Sequence, residues 1–164
     1  MQASAMDIGP MVSGGVRVET ALAVAADAST RAVLGMEPYP IADAPTPVLV
    51  VEDDFDLRES MVAVLEACGY PAYGAANGRD ALAVLHEGRR PGLIVLDLMM
   101  PVMDGWQFRI AQLQQDDLAA IPTVVCTART DAEARAISMG AIAYLRKPLD
   151  FDYQIGRASC RERV

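Results

Sequence analysis

Apolar and polar positions follow two rhythms between residues 47 and 148. Short unbroken apolar runs alternate with segments whose apolar residues recur at helical spacing. "PVLVV" (47–51) is the first run and reads as a strand buried on both faces. Leu57, Met61, Val64, Leu65 and Cys68 then recur at helical spacing, with Gly69 placed to end the helix. "PAYGA" (71–75) predicts a weak second strand and "NGRDALAVLHEG" a helix ending at Gly88. "GLIVLD" predicts a third strand, and Trp106 to Gln115 a helix. "IPTVVCT" predicts a fourth strand, "DAEARAISMG" a helix closed by Gly140, and "AIAYLRKP" a fifth strand stopped by Pro148. Strands alternating with helices imply right-handed crossovers and a doubly wound parallel sheet covered on both faces, an α/β domain over 47–153.

The flanks break this rhythm. At the N-terminal flank, "MQASAMDIGPMVSGG" is small and polar with Gly and Pro punctuation, and "MEPYPIADAPTP" (36–47) holds four prolines. Residues 1–46 are expected to be a disordered extension and linker, although "ETALAVAADASTRAVLG" has the composition of an Ala-rich helix.

Composition narrows the class. At 164 residues, 52% of them hydrophobic and with mean hydropathy +0.21, the chain suits one domain with a real core. A net charge of −8 argues against direct contact with nucleic acid. No apolar run approaches the length of a membrane span, and the N-terminus shows no secretory signal pattern. Cys68, Cys126 and Cys160 show no metal-binding spacing, which suits a reducing cytoplasm. Cys126 ends an apolar run and reads as core, and His86, the single histidine, reads as a surface helix residue. The basic residues are thirteen Arg and one Lys, which singles out Lys147.

Charge then changes the picture at the strand ends, where ligands gather in such sheets. "VLVVEDDFD" runs a buried-looking strand into Glu52, Asp53, Asp54 and Asp56. Clustered carboxylates repel, so something must offset them. Asp54 or Asp56 is expected to cap the following helix. Asp97 ends the third strand, Thr127 the fourth, and Lys147 the fifth. Carboxylates gathered this way make an oxygen site suited to Mg²⁺. A carboxylate can also act as nucleophile and form an aspartyl-phosphate. A lysine and a hydroxyl suit phosphate oxygens.

"VVEDD", "LIVLDLMMPVMDGW", "TA" and "YLRKP" together resemble the receiver domain of two-component response regulators. The resemblance implies a flavodoxin-like five-stranded sheet of order 2-1-3-4-5, the order cited for a family member in general accounts of the fold. It implies that Asp97 is the phosphoacceptor and that Glu52, Asp53, Asp97 and the Met99 carbonyl hold Mg²⁺. Thr127 and Tyr144 are implied as the switch pair, and Lys147 as the phosphate-binding lysine with a cis Lys147–Pro148 bond. By the same resemblance, small Ala128 would allow close approach, Pro101 and Gly105 would shape the loop after Asp97, and Met99 and Arg129 occupy positions that in this family tune phosphate lifetime. The implied donor is a sensor histidine kinase or a histidine phosphotransfer protein. Dimers would form through the face of helix four, strand five and helix five. Trp106 is expected to pack at the start of its helix.

Two other classes compete. A Mg²⁺-dependent phosphatase or phosphotransferase would use Asp97 as nucleophile but wants an acid two residues on, where Met99 stands. A flavodoxin-like nucleotide or flavin binder wants a phosphate loop where "EDDFD" stands.

The last residues read differently again. A fifth helix should follow Pro148, yet "IGRASCRERV" (155–164) has sparse apolar residues and carries 3 basic and 1 acidic groups, net +2. The other 154 residues carry 11 and 21, net −10. A widely used sequencing adapter, read from its third base, encodes this same stretch. Residues 154–164 are therefore expected to be non-native, and the fifth helix truncated.

Overall fold

The computed structural model describes residues 46–149. Five strands, β1 (Val48–Val51), β2 (Ala72–Ala75), β3 (Leu93–Asp97), β4 (Thr123–Thr127) and β5 (Ala143–Arg146), form one parallel sheet in the order β2-β1-β3-β4-β5. Helices α1 (Phe55–Ala67), α2 (Gly78–His86), α3 (Gly105–Leu113) and α4 (Ala132–Ser138) connect them, with a one-turn helix at Asp116–Ala119. This is the doubly wound architecture expected from the alternation, with the flavodoxin-like strand order that the family resemblance implies.

Period-two alternation within each strand divides the core. Val48, Val50, Val95, Val124 and Leu145 face α1, where they meet Met61 and Leu65. Leu49, Val51, Ile94, Leu96 and Val125 face the other way, toward Leu85 of α2, Phe108 of α3 and Ala136 of α4. Strands β1, β3 and β4 are buried along their whole length, which is why they read as unbroken apolar runs.

Local signals place the helix ends. Asp54, rather than Asp56, caps α1 by accepting a hydrogen bond from the Leu57 N–H at 2.9 Å. Asp104 and Gln107 form a reciprocal capping box on α3. Gly69, Gly88 and Gly140 follow α1, α2 and α4 with positive φ, where side-chain-bearing residues are strained.

Two expectations need correction. The helix foreseen from Trp106 to Gln115 ends at Leu113 and resumes as the turn Asp116–Ala119. Buried Gln112 donates to the carbonyls of Leu118 and Ile121, which draws that turn back under α3. Trp106 does not pack inward but is 40% exposed, because α3 buries Gly105, Phe108, Arg109 and Gln112 on the opposite side. The expected disorder of residues 1–45, the fifth helix, its part in a dimer face, and the tail at 154–164 lie outside the described residues.

Candidate functional site

The carboxyl edge of the sheet brings four of the foreseen side chains together. Glu52 follows β1 and is 2% exposed; Asp97 ends β3 and is 3% exposed. Carboxylate oxygens of Glu52, Asp53 and Asp97 lie within 4.8 Å of one another. Lys147 reaches in from the end of β5, with Nζ 2.7 Å from Glu52 Oε2 and 3.2 Å from Asp97 Oδ2.

The electrostatics of this group are one-sided. Burial pushes the Glu52 and Asp97 carboxyls above the ordinary carboxylate range, although Lys147 pulls both down. Burial also opposes the charge on Lys147, but the Glu52 hydrogen bond and the Asp97 charge outweigh it and hold the ammonium above its usual value. The lysine is thus fully compensated and the carboxylates are not. Three carboxylates and one ammonium leave two negative charges over. The donor set is all hard oxygen and converges on one point, which fits a divalent cation such as Mg²⁺.

The loop after Asp97 is tightly built. The Met99 N–H donates to Asp97 Oδ1 at 3.2 Å, and the Met99 side chain is exposed. A Cβ on Gly105 would collide with the Asp97 carbonyl and stand 2.9 Å from Leu98 Cα, so α3 can start there only with glycine. Between them Met103 N–H donates to Pro101 O at 2.8 Å, closing a γ-turn around Val102 at φ 70°.

The remaining predicted residues sit nearby without joining the carboxylates. Thr127 is fully buried at the end of β4, its Oγ1 accepting from the Arg129 N–H at 3.2 Å and its carbonyl accepting from the Lys147 N–H at 3.0 Å. Ala128 is exposed beside it. Tyr144 lies lower on β5, paired in register with Val125 and half-buried against the α2–α4 core. The Lys147–Pro148 bond is cis. Arg129 pairs with Asp131 at 2.9 Å, and the same aspartate pairs with Arg135 on α4 at 2.8 Å. His86 is exposed, 2.9 Å from Gln115, and Cys126 is buried in the core.

One contributor was missed by the sequence reading. Arg58, in α1, donates through Nη1 to the carbonyls of Glu52 at 2.7 Å and Asp53 at 3.4 Å. Its signal was Gly74, since a glycine inside a strand marks close approach by another group.

Comparison with known proteins agrees with the geometry. The family model described as response regulator receiver domain matches residues 48–157, and the chain belongs to that family. Response regulator MprA of Mycolicibacterium vanbaalenii is 38% identical over 116 residues, covering 69% of this chain and 48% of that protein. The phosphate regulon transcriptional regulatory protein PhoB of Pseudomonas aeruginosa is 35% identical over 62% of this chain and 44% of its own length. The chain thus spans about half the length of the curated relatives it matches. Among solved structures, chemotaxis response regulator CheY4 of Vibrio cholerae superposes with TM-score 0.63 at 31% identity, covering 68% of this chain and 94% of that one. The signal receiver domain of a Syntrophus aciditrophicus histidine kinase superposes with TM-score 0.58 at 34% identity, covering 64% and 80%. No helix among the described residues is long and apolar enough to cross a membrane.

Proposed function

We propose that this receiver domain is a cytoplasmic, phosphorylation-dependent signalling switch. Asp97 accepts a phosphoryl group from a histidine of a sensor kinase or histidine phosphotransfer protein. The observation that carries this reading is the convergence of Glu52, Asp53 and Asp97 with Lys147 on one edge of the sheet. An Asp97 carboxylate oxygen forms the new O–P bond as the donor's N–P bond breaks, and the electron pair remains on the imidazole nitrogen. Glu52, Asp53, Asp97 and the Met99 carbonyl would hold Mg²⁺, which supplies charge neutralisation for the transferring group.

The chain's own residues supply the rest. The Lys147 ammonium, 3.2 Å from Asp97 Oδ2, neutralises a phosphoryl oxygen there. Thr127 Oγ1 accepts from Arg129 and keeps its own proton to donate to the phosphoryl group. Moving toward it would disturb the loop before α4, and half-buried Tyr144 on the adjacent strand would follow. Met99 stands where an aspartate-nucleophile phosphatase needs its general acid, which favours a switch over a turnover enzyme. The acidic balance favours protein partners over nucleic acid, and the α4–β5 side is the candidate surface for a dimer.

The test is incubation with Mg²⁺ and acetyl phosphate. A hydroxylamine-labile adduct on Asp97, without turnover of phosphate esters, supports the switch. Steady ester hydrolysis, or labelling of the Asp97→Asn variant, refutes it.

A further inference from the structure

We propose that Arg58 is a positioning residue for the metal site, acting through the main chain of Glu52 and Asp53. The inference rests on the reading that these acids and Asp97 bind Mg²⁺. Arg58 is held on three sides. Its Nη1 grips Glu52 O at 2.7 Å and Asp53 O at 3.4 Å. Its guanidinium lies over the Phe55 ring, 5.4 Å from the centroid. Its stem crosses β2 at Gly74, where a Cβ would stand 2.7 Å from Cδ and 2.9 Å from Cγ.

Elementary electrostatics disfavours a cation at this place. Arg58 lies near the N-terminus of α1, where the helix dipole is positive. It also stands beside a group of acids suited to a cation, whose binding it weakens through charge alone. The contacts say what offsets this. β1 ends at Val51, and beyond it Glu52 N–H still donates to Ala75 O at 3.0 Å. The Glu52 and Asp53 carbonyls are the next groups in line, and Arg58 takes both. Fixing those two peptide units fixes the Cα–Cβ directions of adjacent acids, one buried and one exposed.

Charge and grip make opposite predictions, so the sign of one measurement decides. Mg²⁺ is titrated calorimetrically into the full chain, comparing wild type with Arg58→Met, Gly74→Val and Arg58→Lys. Loss of charge alone would tighten Mg²⁺ binding to Arg58→Met. Loss of positioning weakens it by about tenfold, the usual effect of outer-shell partners. Gly74→Val keeps the charge but displaces the arginine stem, and the same weakening is expected. Arg58→Lys, able to reach one carbonyl, is expected to fall between. Wild-type or tighter affinity in Arg58→Met, or unchanged affinity in Gly74→Val, overturns the proposal. Absence of Mg²⁺ binding by wild type sinks the metal reading instead, and this one with it. A merely structural role would lower the melting temperature without moving the affinity.

Discussion

Lys147 Nζ lies 2.7 Å from Glu52 Oε2, closer than its 3.2 Å approach to Asp97 Oδ2. The lysine therefore leans on a predicted metal ligand rather than on the predicted phosphoacceptor. A cation at Glu52 would compete for that carboxylate and leave the ammonium for Asp97 and its phosphoryl group. Lys147→Ala tests the arrangement. Without metal, the variant strands buried carboxylates and is expected to lose about 3 kcal/mol. With one less cation nearby, it is expected to bind Mg²⁺ more tightly and to recover much of that loss. It should still become phosphorylated but show no phosphodonor-dependent change at Tyr144 by NMR. A wild-type response at Tyr144 would remove the lysine from the switch.

Proton linkage gives a second prediction. Glu52 and Asp97 are both raised, chiefly by burial. A raised carboxyl contributes stability that is complete below its unfolded value, about 4, and is lost as pH rises through the folded value. Metal-free protein should therefore lose stability as pH rises above about 4, and Mg²⁺ should restore stability near neutrality but not at about pH 4. Asp97→Asn removes one of these groups. Its metal-free stability at neutral pH is expected to rise by about 1 kcal/mol while phosphorylation disappears. Thermal melts with and without Mg²⁺ at both pH values check this; an equal Mg²⁺ effect at both contradicts it.

The loop after Asp97 yields a paired prediction. Val102 is β-branched, exposed and held at φ 70°, where such residues are strained. Val102→Gly accepts a γ-turn at that φ and loses no packing, so a gain of up to about 1 kcal/mol is expected in urea unfolding once the added chain entropy is set against the relieved strain. Gly105→Ala acts in the opposite direction. Its Cβ meets main chain at Asp97 and Leu98, which cannot rotate away. A loss of about 3 kcal/mol is expected, together with slower phosphorylation, because the displaced atoms carry the proposed acceptor. Neutral behaviour of both variants would mean that the loop is not held as described.

The strands and helices α1 to α4 were legible because burial is period-coded: unbroken apolar runs where the sheet is covered twice, helical spacing where one face is covered. The site was legible because the βα topology places strand ends together, so Glu52, Asp53, Asp97 and Lys147 could be gathered from order alone. Arg58 and Arg109 were not legible. Arg58 binds main-chain carbonyls, with Gly74 the one hint of its stem, and Arg109 binds two carbonyls beside Gln112 Oε1 and Thr123 Oγ1; a carbonyl has no sequence signature as an acceptor. Trp106 misled because a large aromatic at a helix start looks like core, whereas its angular position relative to Phe108 decides. The break after Leu113 depends on a side-chain amide, Gln112, replacing helix bonds with bonds to a later turn.

Arg109 gives the last prediction. It is 6% exposed, and burial lowers its guanidinium to about 10. Its hydrogen-bond partners among the described residues are neutral: Met139 O at 3.0 Å, Gly140 O at 3.1 Å, Gln112 Oε1 at 2.8 Å and Thr123 Oγ1 at 3.4 Å. The first two are carbonyls at the C-terminal end of α4, where a cation is favoured by the helix dipole. Replacing the arginine by methionine removes a desolvation cost of about 3 kcal/mol, the size of the drop to about 10. Against that, Met139 O, Gly140 O and Gln112 Oε1 each lose a hydrogen bond from a cation, at about 1.5–3 kcal/mol each, although Gln112 Oε1 keeps the Thr123 Oγ1 donor at 3.3 Å and exposed Gly140 can turn to water. The lost charge-assisted hydrogen bonds outweigh the relieved charge, so Arg109→Met is expected to be destabilised by about 3 kcal/mol in urea unfolding. The effect should be local as well as global. Gly140 N–H bonds to Ile137 O and Ala141 N–H to Ala136 O, both in the turn that Arg109 secures. Their amide exchange is expected to accelerate more than that of Val125 in β4. Uniform acceleration would assign Arg109 to general stability alone, and a variant as stable as wild type would show that the buried charge costs as much as its bonds contribute.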